Sequence, residues 1–515
     1  MAITRRQFIK RTGLATAGTV LGPGLFSNMF VRQAMAFSGK YFIVLFLDGG
    51  NDGLNTVTPF NNGSGTLRTA YDGNIPANAL RKTGAGGLNL SPTALAGTKL
   101  TNALFANGGK DPNTACELAL HPGFNDNPGG GLPSGGLKAI YDQGRMAVIQ
   151  GCGYPEYSLS HEESRNIWET GNPLGVSAYA GTGWMGRYLV NTAVSPPPPY
   201  SATDIPAVNI SDSVVGEYRN TGTSVLALRR LADFGFPYDY DYGGENIAKE
   251  IAFEALYGTA AGSGNPTISY IGNTGASTET ASQQYPQAHD VYHADRPGFE
   301  DGYTDGLNTG TARGLREIAK IIYANERNLV TGVDANFFQL SNGGYDTHSN
   351  QGAGETDGQH YDLHSEVGNA IRLFWDDLAT MGAGNTNIQS KVSILVWSEF
   401  SRRIPQNDNG TDHGSQGPMF VIGGTVNGGV YGNHPNINLA ALDDEGNTEY
   451  RQDTNGGYRS TDFRDVYGTI LTRWLGMSKT TVLANVLALD AGPAAFYWTS
   501  ADFGDIIGTK MGFLP

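Results

Sequence analysis

Five short runs of this chain are apolar without interruption: YFIVLFL at 41–47, MAVIQ at 146–150, NFFQL at 336–340, VSILVW at 392–397 and MFVI at 419–422. They are too short for a surface helix and lack the alternation of a strand wet on one face. A strand buried on both faces accounts for them, which is the habit of a parallel sheet. Between the runs the spacing becomes helical, over 137–143, 161–170, 315–325, 360–378 and 463–475. Strand–helix alternation of this kind predicts an α/β fold, a doubly wound sandwich around a mostly parallel central sheet. The intervals near 61–135, 173–310 and 425–460 are rich in Gly, Asn, Ser, Thr and Pro and read as long Gly-rich insertions on one core, with Pro196–Pro199 as a loop. No internal repeat is visible.

The first 36 residues follow another logic. Thr4-Arg-Arg-Gln-Phe-Ile-Lys10 precedes a mild apolar stretch diluted by glycine, and Ala34-Met35-Ala36 offers the small residues a signal peptidase requires. A charged start, an apolar middle and an A-x-A end describe a signal peptide rather than fold. The paired arginines specify the twin-arginine export machinery as a partner, so the mature chain, 37–515, is expected in the periplasm or outside the cell. No later run approaches the ~20 apolar residues of an integral membrane span.

Removing that segment takes away five basic residues and no acidic ones, so the formal charge falls from −15 to −20. Nucleic acid and anionic membrane need basic patches and are poor partners for such a surface. Glycine, with 72 residues, is about twice its usual ~7% frequency, yet aromatics are plentiful, which argues for long polar loops rather than disorder. The two cysteines, Cys116 and Cys152, make no disulfide framework, and nothing in the sequence decides whether they pair.

Candidate chemistry sits where the apolar runs end. Leu47 leads into Asp48-Gly-Gly-Asn-Asp52-Gly; Gln150 leads toward Ser158-Leu-Ser160-His161; Leu340 leads into Gly-Gly-Tyr-Asp346-Thr-His348; Trp397 leads into Ser398-Glu399-Phe-Ser-Arg402-Arg403. A fifth motif, Gly410-Thr-Asp412-His413-Gly414, precedes the last run. Ligands of open α/β sheets bind outside the carboxyl ends of the strands, so Asp48, Ser160, Asp346, His348 and Glu399 are expected along one edge.

These motifs, with LALHPGF (118–124), GWMGRYL (183–189) and STDFRDVYG (460–468), resemble in order the exported bacterial domain-of-unknown-function 1501 family, within the alkaline phosphatase superfamily that includes the sulfatases. The resemblance implies an alkaline-phosphatase-like α/β/α sandwich. It also implies two metal sites: Asp48, Ser160 and Glu399 at one, Asp346, His348 and His413 at the other. The chain departs from the superfamily in carrying Glu399 for an aspartate and Phe400 where a metal-binding histidine belongs. The remaining imidazole and carboxylate donors suit one transition ion, Zn, Mn or Fe, with an oxygen-only second site taking Mg or Ca weakly.

The plainer roles are equally definite. Ser160 followed by Glu163 is a capping-box pattern. Asp48 suits a glycine turn, and Asp412 suits an outer-shell role. Arg402 and Arg403 fit either a bidentate anion clamp or surface ion pairs. His360 and His364, four apart, suggest a metal clip or a wet helix face, while His289 and His293 fall in a polar loop. The function expected is metal-dependent hydrolysis of phosphate or sulfate esters on an anionic small molecule or polymer. Ser160 attacks, or a water activated by the metal if Ser160 only caps; His161 and Arg403 assist. The alternative is a non-catalytic exported binding or assembly protein that keeps the fold and one metal. The export reading has its own test. Replacing both Arg5 and Arg6 with Lys should leave unprocessed precursor in the cell, and processing of the native chain should expose Phe37 as the N-terminus by intact mass. Normal export of the double variant would rule the pathway out.

Overall fold

The computed structural model describes residues 39–73, 80–84, 86–105, 107–125, 135–154, 157–172, 181–191, 204–220, 222–236, 244–352, 355–438 and 461–487. Residues 1–36, read above as a signal peptide, together with Pro196–Pro199 and 439–460, lie outside them. The strands in chain order are β1 (Tyr41–Asp48), β2 (Val57–Pro59), β3 (Leu118–Leu120), β4 (Met146–Gly153), β5 (Ala207–Ile210), β6 (Val225–Leu228), β7 (Phe337–Gly343), β8 (Val392–Trp397), β9 (Ser401–Arg402), β10 (His413–Gly414), β11 (Gly417–Gly423), β12 (Gly429–Tyr431) and β13 (Thr461–Asp462). All five apolar runs are strands of one sheet, ordered β12-β4-β11-β8-β1-β7-β5-β6, with β13 added beside β4.

Every pairing in that sheet is parallel except those of β11, which runs antiparallel between β4 and β8. β1 is central and buried along nearly its whole length. Its Tyr41, Ile43, Leu45 and Leu47 face one core, and Phe42, Val44 and Phe46 face the other. The first core is covered by helices Gly310–Glu326 and Gln359–Leu378, the second by helices His161–Thr170, Trp184–Val190 and Phe463–Thr469. Helices on both faces of a mostly parallel sheet give the expected mixed α/β sandwich. Cys116 belongs to the first core and Cys152 to the second, so the sheet stands between them; both are free thiols.

The interval 173–310 differs from its reading as a Gly-rich insertion. It supplies β5 and β6, which extend the main sheet, and two long helices, Gly244–Ala261 and Pro266–Asp295, packed as a hairpin. His289 and His293 therefore lie on a helix, their rings stacked with centroids 5.7 Å apart, and not in a loop. The hairpin escapes a pattern-based reading because its first helix has little to bury. Ile251 and Leu256 stay exposed, so no apolar stripe marks it.

The helix that begins at His161 is anchored by Trp168, whose indole stacks on Trp397 of β8 at 5.1 Å and also meets Phe463 at 4.6 Å. That clamp fixes how far His161 reaches over the sheet edge. Trp168→Ala should cost about 3–5 kcal/mol in urea unfolding, the range for a large aromatic removed from a packed core. Truncation of the exposed Leu104 should stay within about 0.5 kcal/mol. Equal effects at the two positions would refute the anchoring role.

Candidate functional site

Parallel strands deliver their following loops to one edge of the sheet. The loops after β1, β4, β7 and β8 arrive there, and the antiparallel β11 brings its preceding loop to the same place. This geometry gathers Asp48, His161, Asp346, His348, Glu399 and His413.

The turn after β1 is built for close approach. Gly49 and Gly50 have φ of 122° and 75°, open to glycine at little cost. A Cβ on Gly49 would come within 2.3 Å of the Asp346 amide nitrogen, and one on Gly50 within 2.3 Å of the Phe400 ring. Into this turn reaches Arg402, held at a fixed register opposite His413 by the β9–β10 ladder. The guanidinium is buried. It donates to the carbonyls of Gly50 at 2.6 Å, Thr411 at 2.9 Å, Tyr345 at 2.9 Å and Gly49, and to Asp346 Oδ1 at 2.7 Å. Of the two readings of Arg402, anion clamp or surface ion pair, the surface pair is corrected to an internal tie. Arg403 is half-buried; its amide donates to the Asp412 carbonyl at 2.9 Å and its charge helps hold the Asp412 carboxyl below the usual range.

Three imidazoles meet Asp346. His413 Nδ1 lies 2.8 Å from the Leu159 carbonyl oxygen, an acceptor, so Nδ1 carries the hydrogen. His348 Nδ1 lies 3.2 Å from the Asp412 carboxylate and carries its hydrogen for the same reason. A ring in its neutral form then presents an Nε2 lone pair, and the two Nε2 atoms face each other across 2.9 Å. Asp346 Oδ1 is 3.2 Å from the first and 3.3 Å from the second. His161 Nε2 stands 3.6 Å from Asp346 Oδ2. Ligand atoms of His161, Asp346 and His413 all fall within 4.8 Å of one another. Phe400 closes the inner side, its ring 4.9 Å from that of His161 and 4.6 Å from that of His413.

The acids around this cluster differ in state. Burial pulls the Asp346 carboxyl upward, but the hydrogen bond from Arg402 and then the close approach of His413 outweigh it and hold the group at about 2. Asp48, half-buried at the end of β1, is raised by burial and then by the charge of Glu399. Glu399 is fully buried and accepts from the Gly49 amide at 3.0 Å, from Ser398 Oγ at 3.0 Å and from His161 Nδ1 at 2.8 Å. His413 is lowered by burial; His161 is raised, chiefly by its bond to Glu399.

Ser160 is an exposed N-cap. Its hydroxyl accepts from the Glu163 amide at 3.5 Å, and the Glu163 carboxylate turns instead to Ser158 Oγ at 2.8 Å. Among the described residues no base reaches the Ser160 hydroxyl. Asp52 lies away from the imidazoles, fully buried against Arg81 at 2.6 Å and Gln351 at 2.6 Å. The wet face expected for His360 and His364 is corrected as well: both are buried and pack on His121, with ring centroids 5.0 and 5.1 Å from it. Burial lowers all three, His360 to about 3, so they form a neutral aromatic layer beneath the loops. Sequence reasoning passed over His121, Arg81 and Gln351. The LALHPGF motif was the one signal for His121; the partners of the other two lie far along the chain.

A family model described as "Protein of unknown function (DUF1501)" matches residues 323–486. The matched segment holds Asp346, His348, Glu399, Arg402 and His413 and supports that family. No curated protein and no solved structure matches the chain.

The depressed Asp346 carboxyl gives a pH signature. Its folded value, about 2, lies below the ~3.9 of an unfolded chain, so its contribution is complete above pH ~4 and is lost as pH falls through 2. In chelator-treated protein, the gap in urea midpoint between the native chain and Asp346→Asn should therefore be constant above about pH 5 and close between pH 4 and 2. A gap that does not change with pH would contradict the Arg402–Asp346 pairing.

Proposed function

We propose that the chain is an exported, metal-dependent hydrolase of phosphate or sulfate esters, of the alkaline-phosphatase-like kind, whose ion is held by Asp346, His348 and His413. The observation that carries this reading is the convergence of the two Nε2 lone pairs, 2.9 Å apart, on one carboxylate oxygen. Lone pairs repel, and something positive belongs between them. Two imidazoles and a carboxylate are a normal three-ligand set for zinc or a similar ion with a position left open. A divalent ion bound there supplies Lewis-acid polarisation of an ester oxygen and a water of lowered pKa.

The chain's own groups prepare that chemistry. Leu159 and Asp412 fix the tautomers of His413 and His348, the outer-shell hydrogen bonding typical of metal-ligating histidines. Arg402 occupies Asp346 Oδ1 and keeps the carboxylate ionised. Phe400 keeps water from the inner side, while Asp346 and His348, about half exposed, leave the outer side open to an anionic substrate. Water is the attacking group that fits, since among the described residues the Ser160 hydroxyl meets a helix amide and no base. A second reading, a binding or assembly protein with one bound ion, is favoured by Phe400 standing where a second site would need a ligand.

After exhaustive dialysis, protein expressed with added metal should retain near one transition-metal equivalent. His348→Ala and His413→Ala should each lose it, and Asp48→Asn should keep it. An activated phosphate or sulfate ester should be turned over by the loaded protein and not by His413→Ala. Ser160→Ala should lose about 1 kcal/mol of stability as a missing cap and retain turnover. Metal-free protein from such a preparation would defeat the metalloenzyme reading, and loaded protein inert to every such ester would favour the binding protein.

A further inference from the structure

We infer that His161 is a fourth ligand of the same ion and that Glu399, rather than binding metal itself, is the positioning residue that aims it. The inference rests on the metal reading above and assigns two residues within it. Glu399 is fully buried and its carboxylate is locked from three directions, by the Gly49 amide, the Ser398 hydroxyl and the His161 ring. Its backbone carbonyl accepts a further bond from Ser164 Oγ, one turn along the His161 helix. A carboxylate so placed cannot swing out to meet an ion at Asp346. It only accepts hydrogen bonds, so the 2.8 Å contact fixes the hydrogen of His161 on Nδ1.

In the neutral ring Nε2 of His161 is then a lone pair, and it faces another acceptor, Asp346 Oδ2, at 3.6 Å. The arrangement repeats that of His348 and His413 on the other carboxylate oxygen. Four donors around one ion with bonds of ~2.1 Å stand about 3.4 Å apart in a tetrahedral shell. Among His348 Nε2, His413 Nε2 and Asp346 Oδ1 the separations are 2.9, 3.2 and 3.3 Å, and His161 Nε2 stands 3.6 Å from the other carboxylate oxygen, Oδ2, so both oxygens of Asp346 have imidazole nitrogen near that edge length. The His161 ring also stands edge-on to His413 with centroids 4.4 Å apart, so both reach the position from the inner side. All three imidazoles then have an oxygen acceptor on Nδ1: Glu399, Asp412 and the Leu159 carbonyl. Three nitrogens and one carboxylate suit Zn, Mn or Fe, with a fifth place toward solvent for substrate.

A proton on His161 Nε2 would also satisfy the pair, and Co2+ titration separates the two cases. Chelator-stripped native protein, His161→Ala, Glu399→Gln and His348→Ala are titrated with Co2+ against a competing chelator, with visible absorption recorded and folding checked by circular dichroism. The native chain should take one Co2+. His161→Ala and Glu399→Gln should bind about 10–100-fold more weakly, the usual cost of disturbing an outer shell or a ligand's aim. In His161→Ala the absorption band should also change as solvent replaces a nitrogen, and His348→Ala should bind none. His161 is partly exposed, so its alanine variant keeps the test open even where the buried Glu399→Gln variant does not fold. Native affinity and an unchanged band in His161→Ala, with His348→Ala empty, overturn this inference and leave the metal reading standing. A native chain that takes no Co2+ overturns both.

Discussion

One buried guanidinium holds the edge of the sheet together. Arg402 donates to carbonyls at Gly49, Gly50, Tyr345 and Thr411 and to the Asp346 carboxylate. These acceptors belong to three loops that come from three strands. No apolar side chain could replace it, because each loop turns its backbone oxygens inward and those oxygens need donors once water is gone. The charge is satisfied locally by Asp346, and that same carboxylate meets the imidazoles. Fold and site thus share an atom: Asp346 Oδ1 receives the tie from below and faces His348 and His413 above.

Around that tie the polar interior is continuous. Gln351 accepts from Thr347 at 3.0 Å and Thr411 at 2.7 Å and donates to Asp52, which in turn holds Arg81. Asn51 and Thr56 carry the network on to His360 and His364. Such a layer is costly unless its members are satisfied, and the reward is that each loop can sit in one place only. Precision of that order is what the proposed ligand set would require.

The strands were legible because burial on both faces leaves an unbroken apolar run, and β1, β4, β7, β8 and β11 all have one. β5 and β6 have four residues each, too few to rise above the polar sequence around them. The convergence of Asp48, Asp346, His348 and Glu399 followed from strand ends alone, whereas Ser160, expected with them, caps its helix and its neighbour His161 reaches the cluster instead. The division of labour among them did not, since it depends on which atom a side chain meets. Arg402 was read as an anion clamp or a surface charge because its partners are mostly backbone carbonyls, which every residue possesses and no sequence singles out. Glu399 was read as a ligand from its place after β8, and nothing local reveals that Gly49, 350 positions away, donates to one of its oxygens. His360 and His364 were read as wet because helical spacing cannot say which face of a helix meets the sheet.

The lone antiparallel strand has a consequence in time. His413 approaches the edge on chain that enters β11, while Asp346 and His348 leave it on chain that has finished β7. β11 also fills the gap between β4 and β8, strands nearly 240 residues apart in sequence. Until synthesis has passed Gly423, the growing chain lacks both the last imidazole and the strand that joins its two halves. It can pack local helices and pair β1 with β7, but it has no cavity of the right charge and shape to capture a cation. On the proposed metal reading, loading would wait for a chain that has passed Gly423, and one cut short there would be blind to metal however well its earlier portion had folded.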